Sequence, residues 1–348
     1  MSILGDLTVP IIQAPMAGGP STPALAAAVS EAGGLGFLGA GYLTVQKLTE
    51  DIAATRALTG KPFGVNLFVG GGTPADPAAV EAFADRLAVE SARSGVALGT
   101  PRFDDDAFDA KVDALAADPV PVVSFTFGLP SSGAAQRLRA AGSELWMTVT
   151  SPDEARQAAA LEPDALIVQG VEAGGHRGVF VDDEHASDLT LLSALQLIRG
   201  AVDVPLIAAG GLGSGAAVGA ALVAGASAAQ VGTAYLRAQE AGTSEAQRAA
   251  TAEPTPTVLT RAFSGRLARG ITNRWHRTHA ADAPRAYPEV HYMTSPLRAH
   301  ARKTGDADAI NLWAGQAHQL AEALPAAEIT RRLAADARAA IAAAAERL

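Results

Sequence analysis

The chain of 348 residues contains no cysteine. This absence excludes a thiol nucleophile, a disulfide and a cysteine-ligated iron–sulfur cluster. Any redox chemistry must therefore use an organic cofactor. Charged residues are also few, at 18%, and the formal net charge is -9. Because nucleic-acid binding needs basic side chains that neutralise phosphates, this balance argues against a nucleic-acid partner and favours a small molecule.

Long hydrophobic runs are missing as well. No apolar segment approaches the ~20 residues that a membrane span needs, so no membrane partner is expected. The first residues carry neither a basic segment nor a cleavage-site pattern, which predicts a cytoplasmic protein. Apolar residues are abundant at 49%, and there are 35 glycines and 20 prolines. This composition favours a large α/β domain with many turns.

Short apolar segments alternate with alanine-rich, helix-like segments before residue 240. The predicted strands are residues 11–16, 35–41, 63–68, 122–128, 145–150, 165–169, 206–211 and 228–236. Their residues are nearly all apolar, as in parallel strands that are buried on both faces. This number of β/α repeats within one chain of this length predicts a (β/α)8 TIM barrel.

The pattern changes after residue 238, first to a polar stretch and then to a basic stretch interrupted by prolines. We interpret residues 239–296 as a small C-terminal lid, and residues 1–238 and 297–348 as the barrel with its packing helices. Helices are predicted over residues 310–324 and 327–348. The three consecutive carboxylates at residues 104–106 are interpreted as a solvated run, and no metal site is predicted.

One histidine, His176, follows the sixth predicted strand on a loop that contains Gly174, Gly175 and Gly178. Glycine permits positive φ and a close approach of the backbone to a ligand. Because imidazole titrates near neutral pH, His176 is the candidate catalytic group, as a general base or as a partner for a developing anion. The alternative is a structural histidine that is hydrogen-bonded within its loop.

Two glycine clusters match the dinucleotide-binding pattern, at residues 34–39 and 211–216. The first lies within a strand, and the second lacks an acidic residue at the required distance, so neither predicts a Rossmann site. The second cluster instead follows the seventh strand, and the loops after the seventh and eighth strands of TIM barrels commonly bind a phosphate. A tight turn without a ligand is the alternative. The candidate phosphate-binding residues are Gly211, Gly213, Gln230, Val231, Gly232 and Thr233.

Several segments resemble the nitronate monooxygenase family, and the resemblance covers nearly the whole chain. They are Gln13-Ala-Pro-Met16, Gly-Val-Asn66-Leu-Phe, residues 169–178, Ala-Ala-Gly-Gly211, Gln230-Val-Gly-Thr233, and residues 263–270 and 312–316. The resemblance implies FMN as the cofactor, with His176 facing the flavin. It also implies that O2 oxidises an alkyl nitronate, such as propionate 3-nitronate, to a carbonyl compound and nitrite. The residues that it implies for contact with the ring or ribityl chain are Ala14, Met16, Asn66, Gln169 and Gly174.

The predicted lid departs from the better-studied class of this family, in which a segment after a Tyr-Pro dipeptide supplies a second tyrosine and a lysine. Tyr287 is retained, whereas His291 and Ser295 stand at the other two positions. All three are expected to contact the substrate. Loss of a fixed positive charge weakens the binding of a carboxylate-bearing nitronate unless Arg298 or Arg177 compensates.

The chain also resembles the flavin-dependent enoyl-acyl-carrier-protein reductases in the Glu-Ala-Gly-Gly-His loop. In this alternative the enzyme uses NAD(P)H, and a run of arginines contacts a phosphate of the cofactor or of a phosphopantetheine. These arginines are Arg261, Arg266, Arg269, Arg274 and Arg277. More often such a run is a solvated or internally paired surface. A non-catalytic flavin-binding barrel is a further alternative. The oligomeric state is left open, a homodimer included.

Overall fold

The computed structural model describes residues 2–70, 75–183 and 185–347. Eight strands among these residues form one parallel sheet, in the order β1-β9-β8-β6-β5-β4-β3-β2. The strands in chain order are β1 (Ile11–Gln13), β2 (Gly36–Gly39), β3 (Phe63–Phe68), β4 (Val122–Thr126), β5 (Glu144–Val149), β6 (Ala165–Gln169), β7 (Gly175–His176), β8 (Leu206–Ala209), β9 (Ala228–Val231), β10 (Thr257–Thr260) and β11 (Ala268–Ile271). Each strand of the parallel sheet lies within a predicted segment or one residue from it.

The sheet closes on itself between β1 and β2. A parallel bridge joins Ile12 to Leu35, where Gln13 N donates to Leu35 O at 2.9 Å and Leu35 N donates to Ile11 O at 3.0 Å. Closure removes the open edges of the sheet. The TIM barrel predicted from the alternation of strands and helices is therefore confirmed.

The helices surround the barrel, and several begin with a side-chain cap. They are α1 (Ile3–Asp6), α2 (Pro23–Glu31), α3 (Val45–Leu58), α4 (Pro77–Ser94), α5 (Phe108–Ala117), α6 (Ser132–Ala140), α7 (Pro152–Ala159), α8 (Leu191–Arg199), α9 (Gly215–Val223), α10 (Glu245–Ala252), α11 (Arg274–His279), α12 (Glu289–Thr304) and α13 (Ala326–Ala345). Thr22 and Ser151 accept a backbone N–H at the starts of α2 and α7, each followed by proline at the first helical position. No helix of the described residues is long and apolar enough to cross a membrane.

The predicted helix at residues 310–324 is wrong. Only a short 3-10 turn, His318–Leu320, forms there. The preceding residues instead run beside β11, where Ile271 N donates to Leu312 O at 3.0 Å and Gly270 forms a bridge with Trp313. Tertiary pairing has overridden the helical pattern of the sequence. The other predicted C-terminal helix is confirmed as α13, which packs on α9 and α2.

Side chains of alternating strand positions fill the interior of the barrel. Phe37 and Trp146 meet there, with ring centroids 5.7 Å apart, and Ile12, Val122 and Ile207 belong to the same buried cluster. The intervening strand residues point to the helices and form a larger cluster with them. The interior below the strand ends is therefore filled, which leaves the carboxyl ends of the strands as the place for a site.

A second, antiparallel sheet lies beyond the barrel, in the order β10-β11-β7. The residues around it form a separate hydrophobic cluster in which Phe263, Trp275 and Met293 pack against Phe83 and other residues of α4. Helix α12 crosses residue 296, so the boundary predicted between the lid and the barrel falls inside one helix. The division into barrel and lid stays a prediction.

Hydrogen bonds to one buried carboxylate join α11 to α4. Glu90 on α4 is 4% exposed and accepts two hydrogen bonds from Arg274, at 2.5 and 2.8 Å. The Nε2 atom of His279 lies 2.9 Å from the same carboxylate. One carboxylate of α4 therefore accepts hydrogen bonds from two side chains of α11.

Candidate active site

A cavity of about 500 Å³ opens at the carboxyl ends of the barrel strands. Residues at the ends of β1, β3, β6, β8 and β9 line one part of it, and residues of α12 line the other. Catalytic sites of TIM barrels lie at this face of the fold. The cavity is therefore the candidate active site.

The structure brings nearly all the predicted site residues together in this cavity. Those that line it are Ala14, Met16, Asn66, Gln169, Gly174, His176, Gly211, Gly213, Gln230, Val231, Gly232, Thr233, His291 and Ser295. Tyr287 lies behind the lining, with its ring centroid 5.7 Å from that of His176. Its hydroxyl donates to the hydroxyl of Tyr42 at 3.1 Å.

The glycine-rich end of the cavity has an unpaired polar atom. The Oε1 atom of Gln230 is buried and has no hydrogen-bond partner within the described part of the chain. Gly210 and Gly211 adopt positive φ, at 111° and 71°. A Cβ added at Gly232 would meet only Ala14 and Met16, at 3.4 and 3.9 Å. An unpartnered buried acceptor beside bare backbone is the kind of surface that a polar cofactor completes.

Gln169 holds the loop that carries the histidine. Its Oε1 accepts from Arg177 Nη1 and from Gly178 N, both at 2.8 Å, and its Nε2 donates to His176 O at 3.1 Å. Arg177 is 1% exposed and also donates to the carbonyl oxygens of Gly170 and Ser187. The guanidinium of Arg177 is thus hydrogen-bonded to oxygens of the protein, and it does not supply a free charge to the cavity.

His176 lies in β7, opposite Ala268 of β11. Its Nε2 is 2.8 Å from Ser264 Oγ, and that hydroxyl donates to the carbonyl oxygen of Arg266. Since a hydroxyl has one hydrogen, Ser264 accepts from Nε2–H and leaves Nδ1 without a proton. Burial, followed by the positive charges of Arg266 and Arg298, lowers the pKa of His176 to about 3. The imidazole is therefore neutral near pH 7.

The cavity is cationic although the chain is acidic. Two arginines line it, Arg298 and Arg302, and no carboxylate does so among the residues described. Arg298 is 5% exposed, whereas Arg302 is exposed and donates to Asn311 Oδ1 at 2.7 Å. Burial lowers the pKa of Arg298 to about 10, which leaves it charged at neutral pH. Such a cavity favours an anionic ligand.

The carboxylate run at residues 104–106 is only partly solvated. Asp105 is exposed as predicted, but Asp106 lies 2.7 Å from the buried Lys111 in an ion pair. Asp106 also accepts from the backbone N–H of Tyr42 at 2.8 Å. The prediction of a solvated residue is wrong for Asp106, because its carboxylate holds Tyr42 in place at a positive φ of 68°.

Sequence reasoning missed several residues of the site. They are Tyr42, Phe127, Ser264, Arg302 and Trp313. Tyr42 follows β2 at the catalytic face, and Arg302 lies one helical turn after Arg298, so strand-end and helix spacing could have identified both. Ser264 and Trp313 come from distant segments, and only the tertiary structure brings them to His176.

The five arginines of the run lie outside the cavity lining that the structure describes. Arg261 pairs with Asp182 at 2.7 Å, and Arg274 with Glu90. Arg266 donates to the carbonyl oxygens of Arg177 and Val179, and Arg269 donates to Val171. Arg277 is exposed on α11. Among the residues that the structure describes, the cavity lining includes none of these five arginines.

Fold and cavity define a TIM-barrel protein with an arginine-lined cavity at the carboxyl ends of its strands. A model of the nitronate monooxygenase family matches residues 2–336. A probable nitronate monooxygenase of Staphylococcus aureus (strain Newman) is 40% identical over 332 residues, which are 92% of each chain. Crystal structures of a nitroalkane oxidase from Streptomyces ansochromogenes include a chain that is 49% identical with a TM-score of 0.95, covering 98% of this chain and 100% of that one.

FabK from Thermotoga maritima is also similar, at 26% identity and a TM-score of 0.78, with coverage of 99% of this chain and 98% of that one. The chain belongs to the nitronate monooxygenase family, and the resemblance seen in the sequence is confirmed. It is therefore an oxidoreductase, and its family membership implies a flavin cofactor.

Proposed function

We propose that this protein is an FMN-dependent nitronate monooxygenase that oxidises alkyl nitronates with O2 to carbonyl compounds and nitrite. The cationic cavity beside His176 is the observation that carries the proposal. A nitronate is an anion, and a cavity with two arginines and no carboxylate in its described lining favours an anion over a neutral molecule.

The cavity residues fit FMN in particular. FMN has one phosphate, and the loops after β8 and β9 form one glycine-lined end of the cavity, where backbone N–H groups can donate to it. The unpartnered Gln230 Oε1 is an acceptor, so it suits a hydroxyl or N–H group of the cofactor. The flavin supplies one-electron and oxygen chemistry when it is bound. The residues assigned to the phosphate are Gly211, Gly213, Gln230, Val231, Gly232 and Thr233, and those assigned to the ring and ribityl chain are Ala14, Met16, Asn66, Gln169 and Gly174.

His176 is assigned the catalytic role. A neutral imidazole whose pKa is about 3 is a weak base, so it is poorly suited to remove the α-proton of a neutral nitroalkane. A nitronate has already lost that proton. The electrostatics of the histidine therefore favour a nitronate as the substrate, with His176 orienting it. Tyr287, His291 and Ser295 are assigned to the substrate side.

A reductase that uses NAD(P)H is the second candidate function. The similarity to FabK from Thermotoga maritima favours it. The arginine run that this alternative would use to contact a phosphate lies outside the described cavity lining, and four of its five members are engaged by protein groups. This arrangement removes one reason for choosing the reductase.

Purified protein is expected to be yellow and to release FMN on denaturation, as identified by mass and absorbance. It should consume O2 with propionate 3-nitronate and oxidise NADH slowly. An oxygen electrode with a panel of nitronates, and with NADH as the control, tests both points. Fast NADH oxidation with an enoyl thioester would assign the protein to the second candidate function. A preparation that stays colourless after incubation with excess FMN would contradict both candidates.

A further inference from the structure

Tyr42 has an unusual backbone conformation at the edge of the cavity. It follows β2 and lines the cavity, and its φ of 68° lies in the left-handed region, which bulky residues rarely adopt. Its backbone N–H donates to Oδ1 of Asp106 at 2.8 Å. A conformation of this kind persists only where neighbouring groups hold it. The carboxylate of Asp106 is the group that does so here.

The carboxylate of Asp106 is itself fixed from a second side. Its Oδ2 lies 2.7 Å from the Nζ atom of Lys111, whose side chain is 1% exposed. The same ammonium group donates to the carbonyl oxygen of Ala40 at 2.9 Å. The ion pair therefore bonds to the turn after β2 at two points, one on each side of Gly41. This geometry fixes the direction of the acceptor that Tyr42 uses.

The ring of Tyr42 joins the barrel to α12. It stacks on His291 with ring centroids 3.9 Å apart, and its hydroxyl accepts from the hydroxyl of Tyr287 at 3.1 Å. The ring of Tyr287 in turn lies 5.7 Å from that of His176, measured between centroids. We call Tyr42, Tyr287 and His291 the aromatic wall, since they lie between His176 and α12.

The segment that carries Asp106 also contacts α12. The backbone N–H of Gly99 donates to the carbonyl oxygen of Met293 at 2.9 Å. The guanidinium of Arg102 lies 3.6 Å from the centroid of the Tyr292 ring. Both partners on α12 are close neighbours in sequence of the stacked histidine. One segment between α4 and α5 therefore contacts both sides of the stack.

We propose that Asp106 is a positioning residue of the active site, and that it acts through Tyr42 by holding the aromatic wall in place. Tyr287 and His291 are assigned to the substrate side, so loss of Asp106 should act on KM more than on the chemical step at His176. The kinetic part of this inference rests on the proposed function. The position of the Tyr42 ring can be measured without turnover.

Nuclear magnetic resonance provides the first test. A ring stacked on His291 shifts the ring-proton signals of that histidine upfield. The chain has 7 histidines, so 13C-histidine labelling separates them, and His291→Gln identifies the signal. The signal should stay upfield in Asp106→Asn, whose amide oxygen still accepts from the N–H of Tyr42, and should move downfield in Asp106→Ala. An unmoved signal in a folded Asp106→Ala protein would overturn the inference.

Kinetics with propionate 3-nitronate provide the second test. Asp106→Ala should lower kcat/KM about tenfold to a hundredfold, mainly through KM, the usual cost of a small misplacement in a site. Asp106→Asn should stay within about fivefold of the wild type, because a neutral acceptor keeps part of the hydrogen-bond strength. Asp109→Ala is the matched control, since Asp109 is an exposed aspartate of α5, and its kcat/KM should equal that of the wild type. An unchanged KM in Asp106→Ala would overturn the inference.

A cycle of single and double variants shows whether Asp106 acts through Tyr42. Tyr42→Ala should raise KM at least as much as Asp106→Ala does. Adding Asp106→Ala to Tyr42→Ala should then change kcat/KM by less than about twofold, because the two residues act as one unit. Losses that multiply would overturn the inference, since the aspartate would then act elsewhere.

The melting temperature of each variant reports whether it is folded. If Asp106→Ala does not fold, the double variant Asp106→Asn/Lys111→Met decides, because it lacks the ion pair but keeps the acceptor for Tyr42. An upfield His291 signal in that variant supports the inference, and loss of the upfield shift overturns it. A wild-type protein that oxidises no nitronate would contradict the proposed function, while the resonance test of Asp106 would still apply.

Discussion

Replacing His176 with asparagine should lower kcat for propionate 3-nitronate by about 10²–10³-fold while the flavin stays bound. This is the usual effect of removing one preorganised polar group from a reacting anion. The imidazole is held by Ser264 at 2.8 Å, and aromatic rings surround it, with Trp313 at 5.5 Å and Phe127 at 5.7 Å. Stopped-flow measurement of anaerobic flavin reduction by the nitronate checks the effect on the chemical step.

Arg277→Met is the control for this experiment, because it changes an exposed residue outside the cavity lining. Unchanged reduction kinetics in His176→Asn would remove the histidine from the mechanism. Loss of bound flavin in the variant would instead show that His176 serves the cofactor site.

The rate should also lack an ionisation of His176 near its usual pKa. Burial first, and then Arg266 and Arg298, lower the pKa of His176 to about 3. The neutral form is thus present throughout the range from about pH 5 to 8. A kcat profile without an inflection near 6.5 is the expected result. The same lowered pKa destabilises the fold in acid. The histidine of the unfolded chain is protonated below about pH 6.5, whereas His176 of the folded protein stays neutral down to about pH 3. An inflection that disappears in His176→Asn would contradict this assignment.

The barrel could be predicted because its signal is local. Strands that are buried on both faces must be apolar along their whole length, as in residues 165–169, and the helices between them keep a separate pattern. The segment at residues 310–324 has apolar residues at helical spacing as well, yet it pairs with β11. That pairing depends on a strand some forty residues earlier in the chain, which no local window detects.

The residues of the site also fall into those that the sequence could predict and those that it could not. Residues that follow strands on the catalytic face, such as Asn66 and Gln230, could be predicted because the position alone indicates a role. The partner of His176 could not, because Ser264 comes from a turn 88 residues away in the sequence. The neutrality of His176 follows from burial and from two arginines of the outer segment, so it also required the structure. The sequence therefore predicted which residues carry the chemistry, but it did not predict their charge state.

Glu90→Ala should lower the free energy of unfolding by about 1–3 kcal/mol, the cost of leaving hydrogen-bond donors without their acceptor in a largely buried site. Glu90 is 4% exposed and accepts from both Arg274 and His279. Its removal leaves these two bases unpaired between α4 and α11. Urea unfolding of the holoprotein measures the change. Glu81→Ala is the matched control, since Glu81 is an exposed glutamate of the same helix and should change stability by less than about 0.5 kcal/mol.

The pH dependence of this stabilisation has a definite sign. Burial alone raises the pKa of Glu90, but the hydrogen bonds from Arg274 and His279 outweigh it and lower the pKa below its usual value. A carboxyl whose pKa is lower in the folded state stabilises the fold above its unfolded pKa and loses that effect as the pH falls. The difference in stability between wild type and Glu90→Ala should therefore shrink from pH 7 toward acid. A difference that is small at pH 7, or that grows in acid, would show that Arg274 and His279 find other partners and that the network does not fasten α11 to the barrel.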